Sequence, residues 1–254
     1  MGDPRDGRGI LYPARLPTFQ RVPAAPELAG LVRWFWIPQW DLAPGRTSRQ
    51  QVLPFPASNL VVQPEGVTLA GPTTGISARD LRGTGWAVGA LLRPAALAAM
   101  HAEPQEVRDR EIPVDAPDLH AAVVGAMPDV GAAVHAFTDW VSARLPAPDA
   151  AAETANAFED LIADDPEILR VEQVAARLGV SVRGVQRLAR RYVGLPPLAV
   201  IRRYRLQAAA ERLRTDPDTT IAQVAADLGY ADHAHLTGDF RTVLGLTPNS
   251  YRRG

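Results

Sequence analysis

The chain has 254 residues, 46% hydrophobic and 22% charged, a globular balance that excludes wholesale disorder. It has no cysteine, which excludes a disulfide framework, a thiolate metal site, an iron–sulfur cluster and a cysteine nucleophile. All 27 basic residues are arginine, which excludes a phosphate-loop or Schiff-base lysine. The net charge of −1 conceals a division: residues 170–254 carry 14 Arg against 7 acidic residues, and residues 1–167 carry 13 Arg against 21. A basic segment suited to a polyanion is thus joined to an acidic one.

The length suggests two domains. The first residues lack a hydrophobic signal core, and no apolar run approaches the ~18 residues of a membrane helix. A cytoplasmic protein with no membrane partner is expected. Short punctuated segments open the chain. Residues 31–37 are β-branched and aromatic, and 51–53, 59–63, 67–69 and 86–92 follow, separated by Pro54, Pro56, Pro64, Gly66, Gly71 and Pro72. This grammar predicts an antiparallel sheet or barrel. Ala-rich helices are predicted next at 94–101, 117–127 and 130–145, then a Pro-rich linker at 146–151.

Beyond the linker the pattern is helical, with predicted helices at 153–163, 171–178, 182–193, 196–214, 221–228, 232–244 and 248–252. Ser181, Thr220 with Gln223, Asp232 and Thr247 supply start signals. The segment also repeats: Val174-Ala-Ala-Arg-Leu-Gly179 returns 50 residues on as Val224-Ala-Ala-Asp-Leu-Gly229, and Gly194-Leu-Pro-Pro197 returns 51 residues on as Gly245-Leu-Thr-Pro248. Helix, glycine turn, helix is the helix-turn-helix unit, whose second helix can enter a DNA major groove. Two such units are predicted, at 171–193 and 221–244.

The alternative is a helical bundle with no nucleic-acid role. Helix 182–193 argues against it. Val185, Leu188, Ala189 and Tyr192 recur at helical spacing, and Arg183, Gln186, Arg187, Arg190 and Arg191 take the other side with no acid among them. Arg pairs with guanine and Gln with adenine. In helix 232–244, Leu236, Phe240 and Val243 point inward; His233, Ala234, His235, Thr237 and Gly238 lie near the exposed first turns. His233 and His235 diverge by about 200° on a helix, so they are not a metal pair. The connecting helix 196–214 would span roughly 28 Å. It packs through Ile201, Tyr204, Arg205, Ala208, Ala209 and Leu213, leaving Arg202 and Arg203 for phosphates.

Residues 170–253 resemble the DNA-binding domain of the AraC/XylS family of bacterial transcription regulators. The likeness runs through Val174-Ala-Ala-x-Leu-Gly-Val-Ser181, Gln186-Arg-Leu188, Tyr192-Val-Gly194, Arg203-Tyr-Arg-Leu-x-x-Ala-Ala-Glu-Arg-Leu213, Ile221-Ala-x-Val-Ala-x-x-Leu-Gly-Tyr230, Asp239-Phe-Arg241, Gly245-Leu-Thr-Pro248 and Tyr251-Arg-Arg253. It implies base contacts from Arg183, Gln186 and Arg187 and from His233, Ala234, His235, Thr237 and Gly238. Phosphate contacts are assigned to Arg190, Arg191, Arg202, Arg203 and Arg241. Ala189 stands where the family usually has Phe, and Gly238 where Arg is common.

The N-terminal half resembles the effector domains of one subgroup of that family, through Trp34-Phe-Trp36, Leu53-Pro-x-Pro56-x-x-Asn-Leu60, Ala70-Gly-Pro72 and Leu92-Arg-Pro94. The fold class this implies is α+β in two domains. An antiparallel, cupin-like β-barrel with following helices occupies 1–148, and an all-α double helix-turn-helix domain occupies 153–254. Trp34, Trp36, Phe55 and Trp86 line either a small-molecule effector pocket or an aromatic core, and Arg33 or Arg93 is a candidate for an anionic effector. His101, His120 and His135 fall on predicted helices, so no metal and no cofactor is expected. No nucleophile elbow, His-Glu-x-x-His or carboxylate pair is present, so the chain is read as no enzyme. Expected partners are double-stranded DNA and a small-molecule effector, with a homodimer and RNA polymerase as further candidates. The alternatives are an N-terminal domain serving only dimerisation or a protein partner and, more remotely, a cupin-like enzyme with a helical appendage.

Overall fold

A computed structural model describes residues 18–253. Strand β1 (Thr18–Pro23) pairs antiparallel with β2 (Val32–Asp41), whose other edge meets β8 (Val88–Leu92) and, near its end, β7 (Thr84–Trp86). The sheet continues through β4 (Asn59–Gln63) and β5 (Gly66–Ala70) to β9 (Glu111–Pro113). Two further strands, β3 (Thr47–Val52) and β6 (Ser77–Arg82), form a separate ribbon.

Directly opposed residues of an antiparallel pair share a face. One face of the large sheet carries Phe35, Ile37, Leu60, Val62, Leu69, Val88, Ala90 and Leu92, all buried. It is covered by α1 (Pro94–Met100), α2 (Pro117–Ala126) and α3 (Val130–Arg144). Phe35 meets Phe137 of α3 edge to face, with ring centroids 5.5 Å apart. The opposite face carries Trp34, Trp36 and Trp40. Trp36 is opposed by Gly89 and Trp40 by Gly85. A Cβ added at Gly89 would lie 2.1 Å from Cε2 of Trp36, and one at Gly85 2.4 Å from Cζ2 of Trp40, so both indoles lie flat on bare backbone. Trp36 Nε1 donates to Asn59 Oδ1 at 2.8 Å.

Three strands depart from the sequence expectation. The β6 segment is polar and largely exposed, so it shows no apolar alternation, and β1 and β9 lie at the sheet's edges. Strand β2 continues past Pro38 because that residue sits where the partner changes from β8 to β7 and no ladder donor is required.

The helical half comprises α4 (Ala150–Asp164), α5 (Val171–Leu178), α6 (Val182–Tyr192), α7 (Pro197–Thr215), α8 (Ile221–Asp227), α9 (His233–Leu244) and α10 (Pro248–Arg253). Its starts follow the sequence signals. Ser181 Oγ accepts Gly184 N–H at 3.0 Å, Thr220 and Gln223 form a capping box, Asp232 accepts His235 N–H at 2.7 Å, and Thr247 accepts Ser250 N–H at 3.0 Å. The expected linker is shorter than predicted: Asp149 caps α4 by accepting Ala152 N–H at 2.8 Å.

Two apolar cores result. The first runs from the sheet through α1–α6 to Tyr204 of α7, and the second joins Leu206–Leu213 of α7 to α8–α10 and Leu53. Helix α4 is tied to the sheet domain. Asn156 accepts Ala95 N–H at 3.1 Å and donates to Gly30 O at 2.8 Å, while Arg33 meets Glu159 at 3.0 Å and Asp160 at 2.8 Å. Among the described residues no helix is long and apolar enough to cross a membrane.

Candidate nucleic-acid interface

In each unit a short helix ends at a left-handed glycine, Gly179 (φ 66°) and Gly229 (φ 66°), which swings the chain into the second helix. Only the first alanine of each repeated pair packs: Ala175 and Ala225 are buried, and Ala176 and Ala226 are exposed.

On α6, Val185, Ala189 and Tyr192 are buried and Leu188 is half-buried. Arg183, Gln186, Arg187, Arg190 and Arg191 are all exposed. Arg183, Gln186, Arg187 and Arg190 fall at i, i+3, i+4 and i+7, so they form one stripe. On α9, Leu236, Phe240 and Val243 are buried, His233, Ala234, His235, Gly238 and Arg241 are exposed, and Thr237 is half-buried. The space around Gly238 is open within 4 Å, leaving a bare patch of backbone. Among the described residues no three His, Asp or Glu side chains cluster as metal ligands, and His235 instead stacks edge-on against Tyr230 at 5.2 Å.

The phosphate candidates divide. Arg191, Arg202 and Arg241 are exposed. A cleft of about 340 Å³ lies between α7 and α9, with Arg202 and Asp239 among its lining residues. Arg190 is exposed but its Nε donates to Oε1 of Gln105, 3.0 Å away, on the short 3-10 helix Pro104–Val107 of the N-terminal half. Arg203 is half-buried and donates to the carbonyl of Thr74. Burial lowers its pKa, against the opposing pull of Asp239 and Asp109. These two contacts had no local sequence signal.

The aromatic candidates also divide. Trp34 and Trp36 share the outer face. Phe55 is buried, its ring 6.1 Å from Trp34 and 5.5 Å from Tyr204, both edge to face. Trp86 is opposed by Gln39 and therefore sits on the other face, packed against the core. Arg33 and Arg93 are both taken up by ion pairs, Arg33 with Glu159 and Asp160 and Arg93 with Asp160. Burial works against the Arg33 charge, but Glu159, Tyr204 and Asp160 outweigh it and raise the pKa further.

Residues 174–254 match a family model described as a helix-turn-helix domain, and residues 20–113 match a domain of unknown function, DUF6597. The transcriptional activator RhaS of Escherichia fergusonii is 32% identical over 88 residues, 35% of this chain and 31% of that protein. A putative AraC-like transcription regulator of Streptomyces lividans is 31% identical over 121 residues, 48% of this chain and 38% of that protein. The chain thus spans about a third of the length of the curated relatives it matches. Among solved structures, ToxT of Vibrio cholerae superposes with a TM-score of 0.48 at 11% identity, covering 86% of this chain and 98% of that one. The paired glycine-turn units, the helix-turn-helix match and the AraC-like relatives agree: residues 174–254 form a helix-turn-helix domain similar to those of AraC-like transcription regulators.

Proposed function

We propose that this chain is a sequence-specific DNA-binding transcription regulator that reads two successive major-groove segments, one with α6 and one with α9. The supporting observation is the acid-free exposed stripe of α6, with the exposed first turns of α9 as its counterpart in the repeat. Arg183, Gln186 and Arg187 read base edges, as do His233, Ala234, His235, Thr237 and Gly238. Arg191, Arg202 and Arg241, with Arg190 and Arg203 once released from the N-terminal half, hold phosphates. Residues 1–148 form the regulatory part and 153–254 the DNA-binding part. Trp34 and Trp36, half-buried on the outer face with the Arg21 guanidinium 4.4 Å over the Trp34 ring, favour a small molecule as the regulatory signal, because an apolar ligand that displaces Arg21 can pack on the indoles.

The test is selection of bound sequences from random duplexes, followed by mobility shifts at fixed salt. Arg183→Ala or Arg187→Ala weakens the selected site by ~1–3 kcal/mol and relaxes base choice at one position. Failure to enrich any sequence rejects the proposal.

A further inference from the structure

The β3–β6 ribbon touches both the tryptophan face of the large sheet and the second helix-turn-helix unit. At its outer end Trp40 Nε1 donates to Arg82 O at 3.2 Å. Midway, Arg79 pairs with Glu111. Glu111 is opposed by Ala70, Ala70 by Asn59, Asn59 by Leu91 and Leu91 by Trp34, so this acid lies on the tryptophan face. The ribbon therefore spans that face.

Its other end enters the C-terminal half. Leu53, the residue after β3, is 2% exposed and is counted in the core of α7–α10. Ile76, the residue before β6, packs on the same core, and its N–H donates to Val243 O of α9 at 3.2 Å. The two flanking loops are tied to each other by Thr73 N–H to Phe55 O at 3.4 Å. Asp109 holds Thr74 through its N–H at 2.5 Å and its hydroxyl at 2.7 Å, and Thr74 O receives Arg203 of α7. Gln207 of α7 donates to Pro54 O at 2.9 Å. The first helix-turn-helix unit rests on a different core, continuous with the sheet and α1–α4, into which the loop after β3 sends Phe55 and Ala57 but neither Leu53 nor Ile76.

We infer that the β3–β6 ribbon is a lever that sets the order of the second helix-turn-helix unit according to how it is seated on the tryptophan face. Displacing the ribbon at Trp40 withdraws Leu53 and Ile76 from the core behind α9 while α6 keeps its own. The DNA arm of the test rests on the proposed reading of α9; the exchange arm does not.

The experiment compares full-length wild type with Ile76→Ala, Asp109→Ala and Trp40→Ala by backbone hydrogen exchange. The expected result is at least ~5-fold faster exchange in α8–α9 for all three, with α2–α3 and α5–α6 at the wild-type rate, since local opening is read residue by residue. Trp40→Ala is the most telling variant because Trp40 holds the ribbon at Arg82, at the end far from Leu53 and Ile76. Wild-type exchange of α8–α9 in Trp40→Ala, or equal acceleration of α5–α6, overturns the lever. If the selected duplex exists, its footprint shrinks on the α9 segment and persists on the α6 segment. If no duplex is selected, the functional proposal fails and the exchange result still decides the lever.

Discussion

Tyr204 of the connecting helix donates its hydroxyl to Oε1 of Glu159, 2.8 Å away, while the other oxygen of that carboxylate meets Arg33 of the sheet at 3.0 Å. One buried acid thus joins β2, α4 and α7 where the N-terminal domain meets the first helix-turn-helix unit. Without Glu159, Arg33 keeps Asp160 at 2.8 Å, so Glu159→Gln is expected to destabilise the fold by about 1–2 kcal/mol and not by the full cost of an orphaned buried charge. The check is the urea midpoint of the variant against wild type; an unchanged midpoint removes the pair from any structural role.

Two glycines with similar backbone angles should respond differently to alanine. Gly179 (φ 66°) has nothing within 4 Å of a built Cβ. Gly194 (φ 77°) would put its Cβ 2.4 Å from Pro104 O, a backbone atom that cannot swing away. Gly179→Ala should cost about 1 kcal/mol for the left-handed angle alone. Gly194→Ala adds the clash and should lose stability severalfold more, or detach the 3-10 helix from α6. Thermal unfolding of the pair gives the comparison.

Arg202 and Arg203 are neighbours on α7 with different freedom, the first exposed and the second engaged with Thr74 O. Arg202→Ala should weaken all duplexes alike and reduce the salt slope of binding by about 1. Arg203→Ala should reduce the slope too once DNA binding has freed Arg203 from Thr74, and a wild-type slope would remove it from the phosphate contacts. Equal slopes for both variants would mean that the Thr74 contact opens when DNA binds.

Asp118 is exposed, yet the indole N–H of Trp140, 3.1 Å away, then the backbone N–H of Leu119 and after it Arg144 hold its carboxyl below the usual aspartate range. A depressed folded value contributes stability that is present above the unfolded aspartate pKa of ~3.9 and lost as pH falls through the folded value. Trp140→Phe should therefore raise the Asp118 midpoint in a carboxylate NMR titration, and should make acid unfolding begin at higher pH. A midpoint unmoved by the substitution sinks the assignment of Trp140 as the main cause.

The helical half was legible because its starts and turns are chemical. Ser181, Thr220, Asp232 and Thr247 each accept a backbone N–H that the helix cannot satisfy, and Gly179 and Gly229 each adopt an angle that β-carbons resist. The exposed residues of α6 followed from the 3.6-residue period. The sheet was legible only where apolar residues alternate. The β6 segment Ser-Ala-Arg-Asp-Leu-Arg is fixed by pairing with β3 and by Arg79, not by a buried face of its own. Contacts that cross between domains, Gln105 to Arg190 and Thr74 to Arg203, leave no local pattern because each depends on packing between distant segments. Trp86 was grouped with Trp34 and Trp36 by composition, and strand register separates them.

The apolar core that runs unbroken from Phe35 to Tyr192 and Tyr204 also limits how the protein can be divided. A fragment beginning near Asp149 would keep every helix of both helix-turn-helix units but strip the cover from Phe158, Ile162, Val193 and Leu195, all buried in the intact chain. Such an excised piece would carry a fresh greasy surface beside α6, and self-association is its expected fate.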